Sequence, residues 1–173
     1  GNFGSALERF QEALESDASN ADALNGAGQT LLQMNRAAEA VPFLARAVEQ
    51  RPGNATYRFN YAVALERIGS LPMAVSEYDR LARQTPSDHR LFCNMGLALR
   101  RLGRDQEAIA ALEKATALAP NQSDAWLALA GVSPESAMFN RLQYHRGRTL
   151  EQMPDAGAPA RKREREAYTD YHS

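Results

Sequence analysis

The chain is poor in the residues that most often carry chemistry. A single cysteine, Cys93, among 173 residues excludes an internal disulfide framework. The three histidines, His89, His145 and His172, are scattered and give no spacing of zinc-ligand type. Glycine-rich phosphate loops are absent as well. Twenty basic residues against 21 acidic ones leave a formal net charge of -1, so no global attraction to nucleic acid or anionic membrane is implied and any such binding would be local. No apolar run approaches the roughly 20 residues of a membrane-spanning helix. The opening "GNFGSALERF" has neither the basic stretch nor the apolar run of a signal peptide, and lacks an initiator methionine. An excised or processed piece of a soluble protein is expected, with the cytoplasm the favoured compartment.

What the sequence has in abundance is self-similarity. Prolines stand at 52, 86 and 120, and alanines at 6, 40, 74 and 108, each 34 residues after the last. The small residues Gly28, Ala62, Gly96 and Ala130 keep the same step. Four residues before each stands Leu24, Arg58, Phe92 or Trp126, and three after the first three come Leu31, Leu65 and Leu99. At about 100° per residue, the large, small and leucine positions form one stripe of a helix, and the small residue lets a second helix approach closely. Gly96 is read in this way, as a packing residue whose helix-propensity cost of about 1 kcal/mol is offset by contact across the gap. The proline lies beyond the second helix and ends it, since it cannot continue the hydrogen-bond ladder.

Period and pattern together resemble the tetratricopeptide repeat (TPR), whose 34 residues form two antiparallel helices. Numbered from 1 within each repeat, the family pattern has a large residue at 4, leucine at 7, a small residue at 8, an aromatic or leucine at 11, alanine at 20, an aromatic at 24, alanine at 27 and proline at 32. The third repeat supplies Phe92, Met95, Gly96, Leu99, Ala108, Leu112, Ala115 and Pro120. The departures are Arg58 at position 4, Leu81 at 27, and Asn35 where Gly69 and Gly103 mark the turn. The resemblance implies an all-α fold, a right-handed superhelical solenoid of antiparallel helix pairs with a concave face lined by the first helices. Full repeats are expected at 21–54, 55–88 and 89–122. Residues 1–20 match only the second helix of an incomplete repeat, so its apolar face, with Phe3 and Phe10, is expected to self-associate or to be less stable than the centre. Residues 123–153 are read as a divergent fourth repeat, cut short at "GVSPES", and a capping helix that starts at Ser133 and Pro134. Residues 154–173 read as a linker and the possible start of a further helix, with Tyr168 and Tyr171 at its positions 4 and 7.

Candidate chemistry is sparse. His89 and Cys93 share a helical face, but no second pair completes a metal site and no orienting group makes a nucleophile, so a helix-surface thiol and a solvated imidazole are expected. The basic run Arg161 to Arg165 is interrupted by Glu164 and reads as a solvated face, while Trp126 occupies a packing position. No catalytic residue, cofactor or metal site is assigned.

The groove is the remaining candidate. Positions 2, 6, 9 and 13 lie opposite the packed stripe, and Asn60 and Asn94 both fall at position 6. An amide offers donor and acceptor together, so two amides one repeat apart can hold a peptide backbone without reading its sequence. This is similar to the asparagine ladder in the repeats of O-GlcNAc transferases, although Gly26 and Ala128 do not extend it. Of the carboxylate clamp of chaperone-binding members, Asn60 and Arg90 match two positions and Asn25, Gln29 and Asn94 do not supply the rest, which argues against chaperone tails. Arg67, Arg90 and Arg101 make the mid-groove locally basic, with Val63, Leu97 and the flanking Phe59 as apolar contacts. The expectation is a non-enzymatic scaffold for a protein or peptide with acidic residues. Alternatives are the binding module of a glycosyltransferase or sulfotransferase, and a bacterial secretion or pilus assembly chaperone.

Overall fold

A computed structural model describes residues 2–134 and 137; the capping helix beyond those residues, the basic run and both C-terminal tyrosines lie outside them. The described residues form a right-handed superhelical solenoid of antiparallel α-helices: α1 (Phe3–Ser16), α2 (Ala21–Gln33), α3 (Ala37–Gln50), α4 (Ala55–Arg67), α5 (Leu71–Gln84), α6 (His89–Arg101), α7 (Asp105–Leu118) and α8 (Ser123–Ala130). None of them is long and apolar enough to cross a membrane.

Local chemistry sets where the helices begin and turn. Asn20, Asn54 and Asp88 cap α2, α4 and α6, their side chains accepting the backbone N–H of Ala23, Tyr57 and Arg90. Asn2 caps α1 in the same way. At the turn into each second helix, Asn35, Gly69 and Gly103 take positive φ of 59°, 82° and 73°. Asn35 thus does the work of the missing glycine, since asparagine tolerates the left-handed region better than other side chains. The residue after each then reaches back to close the helix: Arg36 N–H donates to Leu31 O at 2.8 Å, Ser70 to Leu65 O at 2.9 Å and Arg104 to Leu99 O at 3.0 Å.

Within each pair the small residue is where the helices meet. A Cβ on Gly28 would lie 2.4 Å from Leu44 Cγ, and one on Gly96 would lie 2.6 Å from Leu112 Cγ. Ala62 shares a core cluster with Tyr78, the corresponding residue of its own repeat. Leu24, Leu31, Leu44, Tyr78, Leu81, Leu91, Leu99, Leu112 and Leu129 are fully buried along this spine, each contributing about 1.5–3 kcal/mol. Ala130 differs from its counterparts in being exposed, at the end of the short α8. Beyond it, Ala137 N–H donates to Ser133 O at 3.1 Å, so helix resumes after Ser133.

Two position-4 residues do more than pack. Arg58 is buried, with its guanidinium on Glu77 Oε2 at 2.5 Å and on the carbonyl of Pro52 at 2.8 Å. Trp126 reaches the equivalent carbonyl, Pro120 O, through its indole N–H at 2.8 Å. Both tie a first helix to the proline turn that precedes it.

The helices touch in chain order, and in addition α2 meets α4, α4 meets α6 and α6 meets α8. The first helices therefore stand side by side and line one face. α1 packs on α2 alone among the described helices, and Leu7 is its one buried residue.

Candidate binding groove

Neighbouring first helices are stitched together by contacts 35 residues apart, one more than the repeat. Tyr57 OH donates to Asp22 Oδ1, Asn60 Nδ2 to Asn25 Oδ1 at 2.8 Å, and Arg67 to Leu32 O at 2.6 Å. Arg101 reaches Glu66 O at 3.5 Å and its carboxylate at 3.6 Å. The extra residue reflects the stagger of adjacent helices, so that one position faces the next position of the following repeat.

These contacts define what each groove residue has left to offer. Asn60 is half-buried, with one N–H spent on the buried Asn25, which leaves its carbonyl and second N–H. Asn94, also half-buried, lies beside the Tyr78 hydroxyl, which donates to Glu66 Oε2 at 3.1 Å. The position-6 amides are therefore inter-helix residues as well as groove residues, and are less open than a face opposite the packed stripe would be. Removing Asn60 would leave the Asn25 oxygen buried without its donor, a loss of about 1–3 kcal/mol.

The arginines are unequal. Arg90 pairs with Asp88 at 3.0 Å and lies over the Phe59 ring with 5.7 Å to its centroid. The Arg90 guanidinium holds the Asp88 carboxyl below its ordinary range. Arg101 has the Glu66 carboxylate beside it. Burial pushes Glu66 up, against the opposing effect of the Tyr78 hydroxyl and Arg101. Arg67 is exposed and donates to the Leu32 carbonyl, and its charge, like that of Arg101, acts on the Glu66 carboxylate.

Phe59, half-buried, tilts against Tyr78 at 6.2 Å, and Leu97 packs beside the cluster of Leu112, Ala128 and Leu129. Phe59, Asn60, Val63 and Arg67 line an open cavity of about 400 Å³ together with Phe3 and Phe10 of α1. Arg90, Asn94, Leu97 and Arg101 lie outside it, further along the array. Sequence reasoning did not place Phe3 or Phe10 at the site, and read Gly26 on the concave face only as a break in the asparagine ladder. The available signal was Gly26 itself, bare at the position where the two following repeats carry asparagine.

Cys93 departs from the expected surface position. It is half-buried between the third repeat and α8, packed against clusters that include Phe92 and Ala128. Burial raises its thiol above the ordinary range, which keeps it protonated. Among the described residues no three His, Cys, Asp or Glu side chains gather where a metal ion could sit.

Models of the tetratricopeptide repeat match residues 1–58, 31–92 and 89–122, and the chain belongs to that family. Small glutamine-rich tetratricopeptide repeat-containing protein 2 of Mycosarcoma maydis is 26% identical over 107 residues, which is 62% of this chain and 30% of that protein. The match thus spans less than a third of that relative's length. YrrB, described as a TPR protein with an unusual peptide-binding site, gives a TM-score of 0.70 at 27% identity over 73% of this chain and 65% of its own. MamA gives 0.77 at 18% identity over 88% and 92% of the two chains, a likeness of fold alone. Family and fold together define a tetratricopeptide-repeat solenoid.

Proposed function

We propose that the chain is a non-enzymatic scaffold that holds an extended or helical, acidic peptide segment of a partner protein along its concave face. The segment would run across Asn60, Val63, Arg67, Arg90, Asn94, Leu97 and Arg101, with Phe59 flanking. One observation carries the reading: the first helices stand side by side and leave a cavity of about 400 Å³ in which an amide, a guanidinium and apolar side chains from α4 converge. The remaining valences of Asn60 suit a peptide backbone, and the arginines suit carboxylates and would raise the association rate. That a related repeat protein is described as having a peptide-binding site is consistent with this use of the face.

The test is capture of partners by the full chain, identification by mass spectrometry, and titration of the partner segment against parent and Arg67→Glu/Arg101→Glu protein. At least tenfold weaker binding is expected, with the parent's affinity falling as salt rises because screening acts on the charges. Equal affinity of parent and variant would move the binding face elsewhere.

A further inference from the structure

In the middle of the array one carboxylate stands among the groove arginines. An arginine at position 13 reaches back to the carbonyl at position 12 of the repeat before it: Arg67 to Leu32 O at 2.6 Å and Arg101 to Glu66 O at 3.5 Å. At the first of these junctions the position-12 side chain is the buried, apolar Leu32. At the second it is Glu66, whose Oε1 lies 3.6 Å from Arg101 Nη1. The Arg101 side chain is 51% exposed and that of Glu66 19%, so the cation opens on the groove and the anion is withdrawn beside it.

The surroundings of Glu66 come from three helices. α4 itself brings Arg67, and α5 brings the Tyr78 hydroxyl, which donates to Oε2 at 3.1 Å. α6 brings Arg101, with Asn94 beside the hydroxyl and the Cys93 thiol within electrostatic reach. α2 and α3 add no group that acts on it among the described residues. Burial raises the carboxyl above its ordinary range, and the hydroxyl, Arg101 and Arg67 oppose that. Two guanidiniums thus share one internal carboxylate, and a second carboxylate brought to the same guanidiniums would favour the neutral form of the first.

Resting on the groove reading above, we infer that Glu66 sets the charge selectivity of the mid-groove: it stands in for a ligand carboxylate, and when an acidic peptide brings its own carboxylate to Arg67 and Arg101, Glu66 takes up one proton from solvent and remains in place as the neutral acid. One proton is gained per peptide bound. The Tyr78 hydroxyl can stay on Oε2, since a carboxylic acid keeps an acceptor oxygen. A complex that holds one proton more than its separate parts is favoured as pH falls, by about tenfold per pH unit for a full proton. A neutral segment leaves Glu66 on the arginines and gains nothing from them. The internal carboxylate therefore selects partners whose charge is strong enough to replace it.

A random octapeptide display library selected on the full chain at about pH 7.5 supplies the probe, and its most enriched peptide is synthesised. Calorimetric titration at about pH 6 in phosphate and in Bis-Tris, whose ionisation enthalpies differ, counts the protons taken up on binding. Net uptake by the parent is expected, and none by Glu66→Gln, which keeps an acceptor for the Tyr78 hydroxyl. The peptide should also bind Glu66→Gln several-fold more tightly than the parent at about pH 7.5, the difference closing as pH falls to about 5.5. The two proteins share every other ionisable group, so the comparison isolates Glu66. No uptake by the parent, equal uptake by both proteins, or equal or weaker binding to Glu66→Gln overturns the role of Glu66. If Arg67→Glu/Arg101→Glu nevertheless weakens the peptide, the groove reading survives that failure. A peptide that binds the arginine variant as tightly as the parent, or a library from which nothing is enriched, ends both.

Discussion

Arg58 sits where the neighbouring repeats place Leu24 and Phe92, and its side chain is only 9% exposed, against 12% for its partner Glu77. The guanidinium has three nitrogens: one meets Glu77 at 2.5 Å, one meets Pro52 O at 2.8 Å, and Nε has no partner. Glu77→Ala would leave that cation buried with a single carbonyl acceptor. Two unit charges 4 Å apart attract by about 4 kcal/mol at an effective dielectric of 20, and breaking a buried pair from one side costs about 3–5 kcal/mol. For a chain of this size that is a fall in melting temperature of roughly 10 °C. The molecule also contains the apolar alternative: in the first repeat the same two positions are Leu24 and Phe43, which share a cluster. Arg58→Leu/Glu77→Phe should therefore recover the stability of the parent or exceed it by about 1–4 kcal/mol, because neither charge remains to be desolvated. Urea unfolding followed by circular dichroism and by tyrosine fluorescence measures both variants, with coincident transitions required before a free energy is assigned. The reasoning fails if Glu77→Ala costs less than about 1 kcal/mol, or if the double variant is less stable than the single one.

Two further outcomes follow from the packing and the charges. Gly96→Leu should cost about 1–3 kcal/mol, because even its Cβ would lie 2.6 Å from Leu112 Cγ and 3.2 Å from Ala108 O; an unchanged melting temperature with lost partner binding would reassign Gly96 from packing to recognition. Burial raises the Glu66 carboxyl, so the folded chain takes up its proton at higher pH than the unfolded chain does. Stability from this group is present below the unfolded value and is lost as pH rises through the folded one. Relative to Glu66→Gln, the parent should accordingly gain stability as pH falls from 7 to 4.5, and calorimetry showing a constant difference across that range would contradict the sign.

Much of this fold is written locally. The 34-residue step, the capping residues Asn20, Asn54 and Asp88, and the small residues Gly28, Ala62 and Gly96 each act within a single helix or helix pair. Sequence periodicity records such contacts because every repeat solves the same problem with the same residues. Asn35 and Arg58, which break the pattern, became intelligible once the backbone at Asn35 was seen in the left-handed region and Glu77 was seen across from Arg58.

The groove was legible as a face and not as a site. Helical arithmetic selects Asn60, Arg67 and Arg101 as a column, but it treats each helix alone and cannot say what the next helix consumes. Stacking offsets adjacent first helices by one residue, and that offset places Asn60 on Asn25, Arg67 on Leu32 and Arg101 on Glu66. Phe10 of α1 also lies against the bare Gly26 of α2, a contact no periodic pattern encodes. The sequence by itself determined the repeat, its helices and their buried stripe, because those depend on residues 3, 4 and 7 apart. Which polar groups remain free was decided by the tertiary stacking, because it depends on residues 35 apart on neighbouring helices.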